Sequence, residues 1–148
     1  MIDLNCDMGE LEDAAHEAAL MEHITSANIA CGGHAGDDGT MERTARLALE
    51  RGVRIGAHPG YPDKANFGRI EVAMTPAAIS ETVYDQIVRL EAIVRRLGGT
   101  VAYVKPHGAL YNVAVKNAAV AEAIGEGVAR WNRAAPVFGL AASPMLEV

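Results

Sequence analysis

Ser26-Ala27-Asn28-Ile29-Ala30-Cys31, then Asp37 to Arg51, then Gly52-Val53-Arg54-Ile55-Gly56-Ala57 is the stretch that decides the fold. The first piece is a short run followed by two glycines and reads as a strand, Ser26 to Cys31. The second has a capping residue, Asp37, ahead of helix-length periodicity, and Gly52 supplies the stop. The third, Val53 to Ala57, is again a strand. A strand, a helix and a strand in this compass form a parallel unit with a right-handed crossover.

The same alternation continues in both directions. Upstream, Ile2 to Cys6 reads as a strand and Ala14 to His23 as a weakly amphipathic helix. Downstream, a long loop runs from His58 to Met74. Thr75-Pro76 then opens the clearest helix, a capping residue followed by proline at the first helical position. Its apolar stripe is Ile79, Val83, Ile87, Leu90, Val94 and Leu97, and Gly98-Gly99 ends it. Thr100 to Lys105 reads as a fourth strand. Asn117 to Trp131 reads as a helix with Val120, Ile124, Val128 and Trp131 on one face. Pro136 to Ala141 reads as a fifth strand, and Ser143-Pro144 as the start of a further helix. Such alternation closes either as a (β/α) barrel or as an open doubly wound sheet. A full eight-unit barrel usually takes about 200–250 residues. The 148 residues therefore supply an open five-strand sheet or the first part of a barrel, and a truncated chain is expected.

Composition narrows the function. Half the residues are hydrophobic and 22% are charged, as in ordinary globular proteins. The net charge of -6 argues against nucleic acid or an anionic membrane as the main partner. No apolar run approaches the roughly 20 residues of a membrane span. Met1-Ile2-Asp3-Leu4-Asn5 has neither the basic nor the apolar region of a signal peptide, so a cytoplasmic setting is the default. Cys6 and Cys31 form no CxxC and no disulfide framework. Each lacks a local base, so packing is expected of them rather than nucleophilic attack.

The unusual polar residues gather where parallel α/β folds build their sites, at the carboxyl ends of strands. In the first strand Ile2, Leu4 and Cys6 alternate with Asp3, Asn5 and Asp7, so acids are expected on one face toward a polar lumen or cleft, with a wet edge strand as the alternative. Glu10 follows in the next loop. The second strand runs into Gly32-Gly33-His34-Ala35-Gly36-Asp37, whose glycines allow close backbone approach to a ligand. It is neither a Walker A sequence nor GxGxxG. The third ends in Gly56-Ala57-His58-Pro59-Gly60-Tyr61-Pro62-Asp63, with Arg69 further along the loop as a carboxylate or phosphate clamp or, equally, a surface residue in a loop salt bridge. The fourth ends in Lys105-Pro106-His107, where a lysine beside a histidine binds an anion or polarises a carbonyl. Three of the five histidines, His34, His58 and His107, thus follow three successive strands. With an acid such as Asp7 they are candidates for a zinc site or for acid–base chemistry at an amide or phosphoryl group. Their spacing is not that of a local metal motif.

Five stretches carry a resemblance: Asp3-Leu4-Asn5-Cys6-Asp7-Met8-Gly9-Glu10, Ser26 through Asp37, Gly56 through Asp63, Phe67-Gly68-Arg69, and Val104 through Asn112. In this order they resemble the LamB/YcsF family, which supplies the A subunit of prokaryotic 5-oxoprolinases, over essentially the whole chain. The resemblance implies an α/β fold, an irregular (β/α) barrel of the glycoside hydrolase/deacetylase type. Residues 1–148 are then a single domain, the amino-terminal part of a longer barrel with about five strands present. It implies ATP-dependent opening of the lactam 5-oxoproline to glutamate, with ATP and Mg²⁺ and with two further 5-oxoprolinase subunits, B and C; a homo-oligomer is left open. Asp3, Asp7, His34, His58, Lys105 and His107 are the expected catalytic residues. Asn5, Glu10, Asn28, Gly36, Asp37, Arg69, Tyr111 and Asn112 are expected to bind substrate or nucleotide. Two rivals are a metal-dependent amidohydrolase or deacetylase using zinc, and a non-catalytic subunit that binds a small carboxylate. The chain departs from the family at Gly33, where an aromatic residue is usual, and in a short loop after Glu10. It also lacks a late His-Gly-Asp segment, and family members continue past Val148.

Overall fold

The computed structural model describes residues 2–11 and 13–146. Four strands, β1 (Asn5–Met8), β2 (Ser26–Ala30), β3 (Arg54–His58) and β4 (Val101–Val104), pair in parallel in the order β1-β2-β3-β4. The order never reverses. With right-handed crossovers an unreversed order keeps every connecting helix on one face, which is the winding of a barrel wall rather than of a doubly wound sheet.

The helices are α1 (Ala14–Met21), α2 (Asp38–Arg51), α3 (Pro76–Arg96), α4 (Gly108–Ala114) and α5 (Ala118–Trp131). Their ends follow the sequence chemistry. Asp37 caps α2 by accepting from the Thr40 N–H, and Gly52 ends it in the left-handed conformation. Thr75 caps α3 ahead of Pro76, and Asn117 caps α5. The core lies between helices and sheet. Met8, Ile29, Ile55 and Val104 meet Met41 and Ala45 of α2, Val83, Ile87 and Leu90 of α3, and Ile124 of α5. No helix among the described residues is long and apolar enough to cross a membrane.

The other face of the sheet is polar and in register. Asp7 pairs with Asn28, Asn28 with Gly56, and Gly56 with Tyr103, so one row crosses all four strands. Asn28 is its hub. Its amide donates to Asp7 (2.7 Å) and Asn5 (2.8 Å), and its carbonyl accepts the Tyr103 hydroxyl (2.7 Å). Tyr103 reaches Asn28 by lying over Gly56, where any side chain would overlap its ring.

Three sequence expectations change. The first strand, expected over Ile2–Cys6, pairs over Asn5–Met8; Leu4 is instead tied to Thr25 through its N–H (2.8 Å) and carbonyl, and Ile2 and Leu4 are exposed. Pro136–Ala141 forms no strand and contributes one parallel bridge, Val137 to Val104. The Val104 N–H bonds the Pro136 carbonyl and the Phe138 N–H bonds the Val104 carbonyl, so the segment follows β4 for a single rung. Helix α4 occupies a stretch that reads in sequence only as part of a strand-end motif; Leu110 and Ala114, four apart and buried, are its signal.

Helices α3 and α5 pack closely enough that a β-carbon on Gly127 would lie 2.6 Å from the Ser80 carbonyl oxygen, whereas one on Gly125 meets nothing within 4 Å. Urea unfolding of Gly127→Ala is expected to show a loss of about 1–3 kcal/mol from overpacking. Gly125→Ala is expected to be neutral or to gain up to about 1 kcal/mol from helix propensity. Equal effects at the two positions would contradict this packing.

Candidate functional site

The carboxyl ends of the four strands deliver their residues to one place. After β1 the chain turns at Gly9, which has φ of +72°. The turn is held from behind by Glu17 of α1, whose buried carboxylate accepts the Gly9 N–H (2.5 Å) and the Thr44 hydroxyl (3.1 Å). Glu10 is thereby aimed over the strand ends. After β3 the loop is held by Gln86 of α3, which accepts the Gly60 N–H (3.1 Å) and donates to the Gly60 carbonyl (2.8 Å). Neither Glu17 nor Gln86 stands out as a functional residue in the sequence. The signal for each is a polar side chain on an apolar flank: Glu17 four residues before Met21, and Gln86 three residues after Val83 and four before Leu90.

His34, His58 and His107 are all buried here. His34 and His107 stack, with ring centres 3.6 Å apart and planes 4° from parallel, and His58 meets both edge-on. Backbone carbonyls set the tautomers, because a carbonyl only accepts. His58 donates from Nδ1 to the Lys105 carbonyl (2.6 Å), and His107 donates from Nε2 to the Phe67 carbonyl (2.9 Å). The remaining nitrogens, His58 Nε2 and His107 Nδ1, face each other at 3.0 Å. Glu10 Oε1 stands 3.7 Å from the first, 3.4 Å from the second and 3.0 Å from His34 Nε2. His34 Nδ1 is buried without a partner among the described residues, so the His34 proton belongs on Nε2, donated to Glu10. Burial holds His34 below the usual imidazole range and pushes His107 down to about 4, the latter with the neighbouring His34 adding to the effect.

Asp7 joins this cluster to Lys105. Asp7 Oδ1 accepts from Lys105 Nζ at 2.6 Å and from Asn28, while Oδ2 lies 3.3 Å from His58 Nε2. Burial alone would raise the Asp7 carboxyl; contact with the His58 ring, together with hydrogen bonds from Lys105 and Asn28, outweighs it and holds Asp7 well below the carboxylate range. An anionic Asp7 beside a part-exposed ammonium and three imidazoles can orient charge and move protons.

Other expected residues fall elsewhere. Asp3 lies at the amino end of β1, on the far side of Asn5 from Asp7, bound to the Ser26 and Thr25 hydroxyls (2.6 Å each), which hold its pKa low. The structure does not bring it to the histidines. Asn5 and Asn28 sit on the polar sheet face below them. Gly36 and Asp37 line a cavity of about 320 Å³ with Glu10, His34, Lys64 and Phe67, and Lys64 donates to the Gly36 carbonyl (2.7 Å). Arg69 is exposed, stands 5.3 Å from the Phe67 ring centre, and forms no ion pair among the described residues. Tyr111, half-buried, and Asn112, exposed, lie on α4. Cys31 is buried and its thiol is pushed up to about 12; burial raises Cys6 too, as packing residues require. His16 and His23 are exposed. One donor atom each from Glu10, His34, His58 and His107 lies within 4.8 Å of the others, a grouping among the described residues that could hold a metal ion, with the His34 Nε2 proton given to Glu10; Asp7, expected in such a group, gives its Oδ1 to Lys105 and keeps Oδ2 3.3 Å from His58.

Known proteins are similar to this chain in overall sequence and fold. The chain is 48% identical to the 5-oxoprolinase A subunit of Clostridium kluyveri, over 99% of this chain and 58% of that protein. It is 45% identical to the 5-oxoprolinase A subunit of Bacillus licheniformis, over 98% of this chain and 58% of that protein. A crystal structure of the lactam utilization protein from Thermus thermophilus superposes with a TM-score of 0.95 at 38% identity, covering 99% of this chain and 60% of that one. The chain thus spans under two thirds of the length of these relatives. The sequence profile of the LamB/YcsF family matches residues 2–148, and the chain belongs to that family.

Proposed function

We propose that this chain is the A subunit of an ATP-dependent 5-oxoprolinase, a cytoplasmic hydrolase that opens 5-oxoproline to glutamate together with two further subunits, B and C. The observation that carries the reading is the meeting of Asp7, Glu10, Lys105 and three histidines at the ends of consecutive parallel strands. It is supported by relatives named as this subunit. The four-strand sheet is read as one side of a barrel wall in a single (β/α) domain, its polar face toward the lumen.

A lactam amide is a poor electrophile, which gives ATP its purpose. The terminal phosphoryl group passes to the lactam oxygen, ADP leaves, and water adds to the activated ring carbon. The carbon–nitrogen bond breaks as the ring nitrogen takes a proton, and the phosphate is released by a further water. Lys105 sits where developing negative charge on oxygen needs a cation. Asp7 orients Lys105 and faces His58, while His58 and His107 are placed to move protons. Glu10 or Asp7 is the candidate partner for Mg²⁺ arriving with the phosphates, and Arg69 for the phosphate charge itself. The position of Asp3 gives it no direct part in this scheme.

A metal-dependent amidohydrolase is the second reading, favoured by the grouping of Glu10 with three imidazoles. The two separate on ATP. Glutamate release from 5-oxoproline is to be measured with this chain and the candidate B and C subunits, beside a version extended to the length of its relatives. ATP-dependent release by either version supports the first reading; release without ATP by either version favours the second. No release by either sinks the first.

In the active assembly, Lys105→Met is expected to lower kcat by about 10²–10³-fold through lost charge stabilisation. His58→Ala and His107→Ala are each expected to lower it by about 10²–10⁴-fold. Full activity in both histidine variants would remove the cluster from the chemistry.

A further inference from the structure

We propose that Glu10, His58 and His107 form a binding site for a divalent transition metal of the zinc class, with His34 holding Glu10 in place from outside it. Two backbone carbonyls decide which ring nitrogens are donors. They take the proton of His58 at Nδ1 and of His107 at Nε2, so two neutral imidazoles would point lone pairs at each other across 3.0 Å beside a carboxylate. Three electron-pair donors so close repel unless something positive lies among them. Metal-bound histidines commonly give their outer N–H to a carbonyl or carboxylate in this way, which fixes ring and tautomer.

The distances fit an ion as well. With bonds of about 2.0–2.1 Å, donors around a tetrahedral zinc lie roughly 3.3 Å apart. The three donors here are separated by 3.0, 3.4 and 3.7 Å. His34 gives its Nε2–H to Glu10 at 3.0 Å, the outer hydrogen bond a ligating carboxylate needs. Two histidines and one glutamate make three ligands, the number held by sites that keep a fourth position for water; Asp7 Oδ2, 3.3 Å from His58 Nε2, stands beside that position. Water there would have a lowered pKa and could serve as the nucleophile for lactam opening, with His58 and His107 then holding the ion in place of moving protons. That use rests on the function proposed above; the binding of an ion does not. The competing arrangement is a proton in place of the metal, carried by His58 and shared with His107, Asp7 and Glu10.

The test is titration of the metal-free chain with Co²⁺, followed by visible absorption, and equilibrium dialysis against Zn²⁺, without substrate. One ion per chain is expected, with the intense visible bands of four-coordinate Co²⁺. Glu10→Gln and His107→Ala are expected to weaken binding at least 100-fold, and His34→Gln by about 10–100-fold. His16→Ala and His23→Ala, on exposed positions, should leave it unchanged. Circular dichroism checks that each variant folds, and the unaltered chain decides even if one does not. No stoichiometric binding by the unaltered chain overturns the site, as does binding lost on replacing His16 or His23. Lactam opening that survives chelation, with no ion bound, removes the metal and keeps the function. Stoichiometric binding without turnover in any assembly does the reverse.

Discussion

The parallel register that sets Asp7, Asn28, Gly56 and Tyr103 in one row is the constraint on which the rest of the molecule depends. A shift of one residue in any strand would turn its polar side chains into the helix layer and its apolar ones onto the polar face. Asn28 guards against this by bonding to β1 on one side and, across β3, to Tyr103 of β4 on the other, and it is satisfied only when Tyr103 crosses Gly56 to reach it. With that row fixed, the strand ends stand level. His58 closes β3, Lys105 follows β4, and the loops carrying Glu10, His34 and His107 turn back over the same spot.

The site is then held by elements that take no direct part in its chemistry. Glu17 fixes the turn that presents Glu10, and Gln86 fixes the loop beside His34. Carbonyls of Lys105 and Phe67 orient two of the histidines. Each is buried or backbone-anchored, so the cluster is preorganised in the folded chain. Asp7 couples it to a cation at its rim, and a site containing both a cation and a set of neutral bases suits a reaction in which oxygen gains charge while nitrogen gains a proton.

Much of this was legible in the sequence because it rests on local rules. Asp37 with Gly52, and Thr75 with Pro76, mark helix ends by side-chain and backbone chemistry that needs no tertiary context. Strand-end histidines after three successive strands predict convergence once the sheet is parallel. What the sequence withheld depends on pairing partners. Pro136–Ala141 has strand composition but bonds β4 for one rung, and β1 begins three residues late because Thr25 claims Leu4. Asp3 and Asp7 share a face and are equivalent by alternation alone; only the direction of the strand separates the amino end, where Asp3 meets Ser26, from the carboxyl end, where Asp7 meets His58. Glu17 and Gln86 stay hidden because a polar residue in an apolar stripe has no meaning until its backbone partner is known.

Two imidazoles have their outer nitrogens bound to backbone, which leaves their inner nitrogens to meet Glu10, and both the proton chemistry and the metal site depend on this. Nitrogen-15 NMR of the histidine rings at neutral pH tests it most directly. The predicted result is a proton on Nδ1 of His58 and, for His107, a neutral ring protonated on Nε2. A bare Nδ1 on His58, or His107 protonated on Nδ1 alone, would contradict it, because the inner nitrogens would no longer be free to act together.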